Sequence, residues 1–523
     1  MSVPPTHTGH WAQVQGDVPA IIMASSGETV TFREFEDNAN RCAQLLRKLG
    51  LKRGDVFALW SGNNPRFLEI TSAMSRSGLY MVPIASKLHA HEAAYIIGDS
   101  GAKLLIVDAG LKHAHEMAEQ LAALCPGIAH AYSIRSDLRG MERWEDAIAQ
   151  MPASLIADPS AGLQMMYSSG TTGKPKGVQR PLGEESFDAL SGYGMFMQHR
   201  YKSRPGTTFL ISAPLYHAGP FSMSTTELNI GATVLLFERF DAEEMLAGIE
   251  RYRPERAQFV PTMFVRLLKL PEEVRAKYDV SSLKLAIHSA GPCPVEVKRQ
   301  MIDWWGPVLD EMYGGTENVG STLIDSHEWL LKPGSVGKAA GSTIHICNEQ
   351  GDELPVGETG TIWFEGAGGF RYLGDPQKTR DIFHPRHADW ATFGDIGHVD
   401  EDGYLFLSDR KAFMIICGGI NIYPQEVEDL LTLHPDVADV AVFGVPDPDM
   451  GEQVTAVVAP ADWSKAGPEL EADLIAFCKS RLATLKCPRT VHFEPELPRD
   501  AVGKLAKRVL RDRYSAAAGQ ERG

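Results

Sequence analysis

The stretch "YSSGTTGKPKGV", residues 167–178, follows the apolar run "GLQMM" and crowds glycine, hydroxyl side chains and lysine into one loop. Glycines such as Gly170 and Gly173 let backbone N–H groups converge on a point, and such a nest binds anions. Ser168, Ser169, Thr171 and Thr172 add hydroxyl donors, and Lys174 and Lys176 add positive charge. Together they suit a polyphosphate. The spacing is not that of the Walker A loop, because no GxxxxGK[ST] pattern occurs here.

The chain around this loop has 523 residues, 44% of them hydrophobic and 23% charged. That is enough apolar material for several packed cores, so more than one domain is expected. A net charge of −16 repels nucleic-acid phosphate and argues against a general nucleic-acid binder. No run of about 18 apolar residues suggests a membrane span, and "MSVPPTHTGHW" lacks the order of a signal peptide. The 7 cysteines are scattered without a CxxC pair and read as reduced thiols, which predicts a cytoplasmic protein.

The front third alternates helical and strand patterns. "FEDNANRCAQLLRKLG" puts Phe35, Ala39, Cys42, Leu46 and Leu49 on one helical stripe, with Gly50 fitting the C-terminal cap. "DVFALW" and "AKLLIVD" are short apolar runs of buried-strand type. Strands separated by helices predict α/β layers with mainly parallel sheets. From about Gly334 to Leu407, "GTIWFEG" and "GYLFLSD" between Gly and Asp turns predict a small antiparallel, barrel-like unit. After Val427 the pattern reads helix, turn, strand. A boundary near residues 409–413 divides the chain into a large domain, 1–409, and a small α+β domain, 410–523. The small polar tail "SAAAGQERG" is expected to fray.

Three further stretches, "YGGTEN" (residues 313–318), "FGDIGHVDEDGYLFLSDR" (393–410) and "PRDAVGKLAKR" (498–508), occur in order after the loop. With it they resemble the signature set of the adenylate-forming superfamily, which includes acyl-CoA synthetases, aryl-CoA ligases, peptide-synthetase adenylation domains and luciferases. The resemblance covers most of the chain, from about Thr31 to Leu510. It implies a two-step ligase. A carboxylate attacks the α-phosphate of ATP to give an acyl-adenylate and pyrophosphate, and a thiol, usually of coenzyme A, then displaces AMP. Both steps gather negative charge, so positioning and electrostatic stabilisation should dominate.

The resemblance also implies roles. The loop from Ser168 to Lys176 would cover the β- and γ-phosphates. Tyr313 would stack on adenine beside Gly314, with Ala290 and Gly291 forming the adenine-side wall. Thr316 would hydrogen-bond the α-phosphate, and Glu317 would hold Mg²⁺ through ATP. Asp395 would accept the ribose hydroxyls, and Arg410 would reach the ribose or phosphate. Lys504 would bridge the attacking carboxylate and the α-phosphate. The small domain would rotate between the steps, pivoting at "DRKAF" and opening a thiol tunnel along "CGGINIYP" with Gly418 and Gly419 beside the thiol arm. At the pivot the family commonly has Lys, then Asp or Lys, where this chain has Ala412 and Phe413, with Lys411 beside them.

Peptide-synthetase domains hold an α-amine with an Asp. The corresponding stretch here, "APLYHAGP", has His217 and no Asp. A pocket of His217, Met223, Thr262, Met263, Ala290, Gly291 and Gly315 would be mostly apolar and fit a fatty, aromatic or steroid-type carboxylic acid. The alternatives are an acyl-AMP ligase loading a carrier protein, a non-catalytic acyl or nucleotide binder, and luciferase-like oxidation. A homodimer, and acetylation of Lys504 by a lysine acetyltransferase, are further expectations. "LHAHE" and "LKHAHE" resemble metal motifs, but both read as helix starts, where side chains at i and i+2 diverge. Cys293 and Cys417 read as packing residues.

Overall fold

The structure is a computed structural model that describes residues 7–168, 175–410, 413–418, 420–499 and 505–520. It divides into two compact units. One comprises Met1–Val260, Glu272–His288 and Gly369–Thr379; the other comprises Pro261–Pro271, Ser289–Gly368 and Arg380–Gly523.

The first unit is the α/β part. The helix Phe32–Lys48 opens on a capping box, in which Thr31 accepts from the Glu34 N–H and Glu34 accepts from the Thr31 N–H. Such a cap stabilises a helix by about 1 kcal/mol. Its predicted stripe is buried at Phe35, Ala39, Cys42 and Leu46, and Gly50 takes the left-handed φ of 83° that ends the turn. "DVFALW" and "AKLLIVD" become the strands Val56–Trp60 and Leu104–Asp108. They pair in parallel and lie inside a sheet that also holds Tyr80–Ile84, Leu163–Gln164, His130–Ile134 and Glu142–Arg143. Every residue of Leu104–Asp108 is buried. Its four aliphatic side chains each contribute roughly 1.5–3 kcal/mol on leaving water. A second sheet runs Pro19–Met23, Thr233–Leu236, Thr208–Ile211, Arg256–Phe259 and Leu285–His288 in parallel, with Thr29–Thr31 antiparallel at its edge.

The second unit is mostly antiparallel, and its β region begins earlier than the turn pattern predicts. The strand Leu309–Gly314 pairs with Ser321–Asp325, and the ladder continues through Ser335–Ala339, Leu405–Arg410, Asp395–Val399, Gly360–Glu365 and Ile344–Cys347. A separate sheet carries the long hairpin Val437–Asp447 and Gly451–Pro460, flanked by Ile415–Cys417 with Ile420–Ile422 and, in parallel, by Thr490–Phe493. The helix Pro424–Thr432 packs Val427 and Leu431 onto the core of this sheet. Among the described residues the tail is helical up to Gln520, where its composition predicts fraying. The helix Lys507–Gln520 runs through it, because the alanines that make the tail small are also the strongest helix formers. Among the described residues, no helix is long and apolar enough to cross a membrane.

Candidate functional site

The candidate nucleotide corner grows from one β-hairpin. Tyr313 and Gly314 end the strand Leu309–Gly314, and residues 315–318 turn the chain toward Ser321–Asp325. The Asn318 N–H donates to the Gly315 carbonyl at 3.0 Å, and Asn318 itself takes a left-handed φ of 54°. This tight turn holds Thr316 and Glu317 half-buried at the hairpin tip.

The second element is the strand Asp395–Val399. Asp395 is buried, and the Tyr313 hydroxyl donates to its Oδ2 at 2.6 Å. Residues 82 positions apart are thereby locked into one polar pair. Sequence reasoning assigns each a separate nucleotide contact and misses their bond to one another. It also misses the rings that set the Tyr313 orientation. Phe393 lies edge-on to Tyr313 at 5.8 Å between centroids, and Phe364 lies 6.2 Å away. Gly315 fits only because it lacks a side chain, since a Cβ there would stand 2.4 Å from Phe393 Cε1. Arg410 is the Cα partner of Asp395 across the ladder, which puts the "GD" and "DR" motifs opposite each other.

Ala290 and Gly291 lie exposed on the segment that leads into the helix Val295–Trp305. Ala290 adopts a φ of 73°, a region that favours glycine. Behind this segment Lys298 is fully buried and bonds Glu311 at 2.6 Å, which ties the helix to the strand bearing Tyr313. Cys293 is a free cysteine beside this pair, and burial pushes its thiol well above the ordinary range, away from nucleophilic use.

The opening loop is closed by a β-hairpin in the first unit. Ser168, in Met166–Ser168, is the register partner of Lys176, in Lys176–Gln179. Gly177 faces the Tyr167 ring, whose hydroxyl donates to Asp99 at 2.8 Å. Lys176 Nζ lies 3.5 Å from the Asp375 carboxylate, a partner the sequence does not announce. Ser169, Gly170, Thr171, Thr172, Gly173 and Lys174 lie outside the described residues, as do Lys411, Ala412, Gly419, Asp500 and Lys504.

Of the acyl-pocket candidates, His217 is the N-cap of the helix Ala218–Ile230 and Met223 is completely buried on that helix. In the second unit, Thr262 is exposed and Met263 buried on the helix Pro261–Leu268. Gly418 has a φ of 57° at the hairpin between Ile415–Cys417 and Ile420–Ile422, and a Cβ there would meet Met450 at 2.5 Å. The two histidine stretches both open helices. His89 caps Ala90–Ser100, His113 caps Ala114–Leu124, and their rings pack 4.1 Å apart, a contact not legible in either stretch.

Residues 9–372 match the family of AMP-binding enzymes, and residues 426–504 match the AMP-binding enzyme C-terminal domain. The chain belongs to the AMP-binding enzyme family. A feruloyl-CoA synthase of an Amycolatopsis species is 32% identical over 95% of this chain and 96% of its own length. A long-chain-fatty-acid–CoA ligase of Mycobacterium tuberculosis, FadD13, is 32% identical over 97% of each chain. Among solved structures, the o-succinylbenzoate CoA synthetase MenE of Bacillus subtilis, in complex with its acyl-adenylate intermediate, matches with a TM-score of 0.79. It is 26% identical, and the match covers 97% of this chain and 98% of that one. The fold is that of adenylate-forming enzymes, and the chain is an AMP-forming acid–thiol ligase.

Proposed function

We propose that this enzyme activates a carbon-rich carboxylic acid with ATP and transfers the acyl group to coenzyme A. The observation that carries the reading is the bonded pair Tyr313–Asp395, set by Phe393 and Phe364 beside the half-buried Thr316–Glu317 turn. An aromatic face next to a buried carboxylate suits a nucleoside, and a hydroxyl and a carboxylate at a hairpin tip suit a phosphate and its cation.

In the first step a carboxylate oxygen bonds to the α-phosphorus while the bond to the bridging oxygen breaks and pyrophosphate leaves. Lys504 would neutralise the charge that grows there, and Lys176 with the residue 168–176 loop would hold the leaving phosphates. Among the described residues no group of three or more His, Cys, Asp or Glu could hold a metal by itself. Magnesium would therefore use Glu317 together with phosphate oxygens, and would supply positive charge at the transferred group. In the second step the thiol sulfur bonds to the acyl carbon, AMP leaves, and the thiol proton passes to solvent. Gly418 and Gly419 would line the thiol path. His217, Met223, Thr262, Met263 and Gly315 would shape the acid site. Feruloyl and long-chain fatty substrates in the relatives' names support an aromatic or fatty acid.

Pyrophosphate release with a panel from acetate through decanoate and ferulate to a bile acid identifies the substrate. AMP release with free CoA, set against a phosphopantetheinylated carrier protein, identifies the thiol. Lys504→Met should lower acyl-AMP formation by about 10²–10³-fold. Undiminished acyl-AMP formation would overturn the assignment.

A further inference from the structure

Lys507 follows the proposed catalytic lysine by three positions and is 8% exposed. Its ammonium lies 2.7 Å from the carboxylate of Glu428, which is itself 6% exposed on the helix Pro424–Thr432. The second duty of Glu428 is to accept the Val442 N–H at 2.7 Å, on the strand Val437–Asp447. The same ammonium stands 5.3 Å from the centre of the Phe413 ring, just beyond the strand Leu405–Arg410. A buried ammonium is costly unless its charge is met. Here a carboxylate and an aromatic face meet it from two sides.

The other end of residues 500–504 is held as well. Arg499 pairs with Asp439 on the same long strand, Leu505 bridges Arg499 in antiparallel register, and the Ala506 N–H donates to the Pro498 carbonyl at 2.9 Å. The described residues on either side of 500–504 are thus tied to the strand Val437–Asp447, Arg499 through Asp439 and Lys507 through Glu428, and Lys507 also faces the Phe413 ring.

We propose that Lys507 is a positioning residue for acyl-AMP formation: its ammonium, shared between Glu428 and Phe413, anchors the chain three positions after Lys504. This rests on the reading of Lys504 given above. By the family resemblance Phe413 stands where Asp or Lys is common, and its ring face meets the Lys507 cation where such a residue would supply a charge of its own.

The test uses the full chain, the best acid of the panel and the chemically prepared adenylate of that acid. Lys507→Met should lower kcat for acyl-AMP formation by about 30-fold with KM for ATP within about twofold, while thioester formation from the supplied adenylate stays within about twofold. Lys507→Arg should restore the first step to within about threefold. If both half-reactions fall together, or neither falls, the proposal is overturned. Should Lys507→Met fold poorly, Lys507→Met with Glu428→Gln leaves no lone charge, keeps an acceptor for Val442, and must show the same split between steps. Lys504→Met separates the two readings. If that variant still forms acyl-AMP, the site assignment fails. If it is inactive in the first step while Lys507→Met is not, only the positioning role fails.

Discussion

The two strands that meet at one end of a ladder lead into regions held by different forces. Asp395 and Arg410 are register partners. Beside Asp395 lies the nucleotide corner, where Tyr313, Phe364 and Phe393 meet ring to ring and Gly315 is bare to make room. Around the end of the strand Leu405–Arg410 the contacts involve charged groups. Lys507 faces Glu428 and Phe413, and Asp409 accepts the Gln425 N–H at 3.1 Å. Dispersion contacts decay over fractions of an ångström, whereas charge acts over several. The corner should therefore answer chiefly to volume, and the pivot region chiefly to charge.

Between these two regions the largest effect should come from adding one carbon to the corner. Gly315→Ala places a Cβ 2.4 Å from Phe393 Cε1, so the ring must move and Tyr313 with it. Overpacking of this kind costs about 3 kcal/mol, or roughly a 100-fold loss of ATP affinity by titration calorimetry, at unchanged secondary structure. A loss below about threefold would mean that the ring yields freely and that shape does not govern the corner.

The pivot region should answer to pH instead. Burial pushes the Asp429 carboxyl up to about 7; Glu428 and Asp409 push the same way, and Gln425 and Lys507 oppose them. Asp429 also faces Cys293 from the second unit's other elements. A carboxyl raised in the folded state holds its proton longer there than in the unfolded chain. Its contribution is present at low pH and is lost as pH rises from about 4 to about 7. Asp429 is only half-buried, so solvent reduces the effect to about 2 kcal/mol. Asp429→Asn should melt like the parent at pH 4 and higher than it at pH 8. Coincident melting curves at both values would remove the charge argument.

Tyr313→Phe is the finer probe of the corner. The ring volume stays and only the 2.6 Å bond to Asp395 goes. A hydrogen bond to a carboxylate contributes about 1.5 kcal/mol, so KM for ATP should rise about tenfold with kcat nearly unchanged. A fall in kcat at constant KM would instead place the hydroxyl in the chemical step.

Much of this was legible in the sequence, and the gaps have physical causes. Apolar runs such as "AKLLIVD" declare their strands, because strands buried on both faces need no alternation. The strand Leu309–Gly314 stays hidden because Asp310 and Glu311 break its pattern, although both are buried and Glu311 is neutralised by Lys298. Motif residues such as Tyr313, Glu317 and Asp395 stand out as a set. Their supports do not. Phe364 and Phe393 are ordinary aromatics until the ladder brings them to Tyr313, and Glu428 lies 79 positions from Lys507. Pairing across such separations is a property of the folded chain, not of local spacing.

The smallest expected effect sits at Ala290, the proposed adenine-side wall. Ala290 holds a left-handed φ of 73°, where a Cβ crowds the following carbonyl at a cost of about 1–2 kcal/mol. Ala290→Gly relieves that strain but gives the unfolded chain more freedom, which returns about 0.5–1 kcal/mol. The net gain, under about 1 kcal/mol, should raise the calorimetric Tm by only about 1 °C in a chain of 523 residues. The functional sign should be opposite. Removing the Cβ widens the wall, so KM for ATP should rise about twofold as stability improves. A rise in both stability and affinity would mean that the strained backbone does nothing for the nucleotide, and that shape matters only at the Phe393 side of the corner.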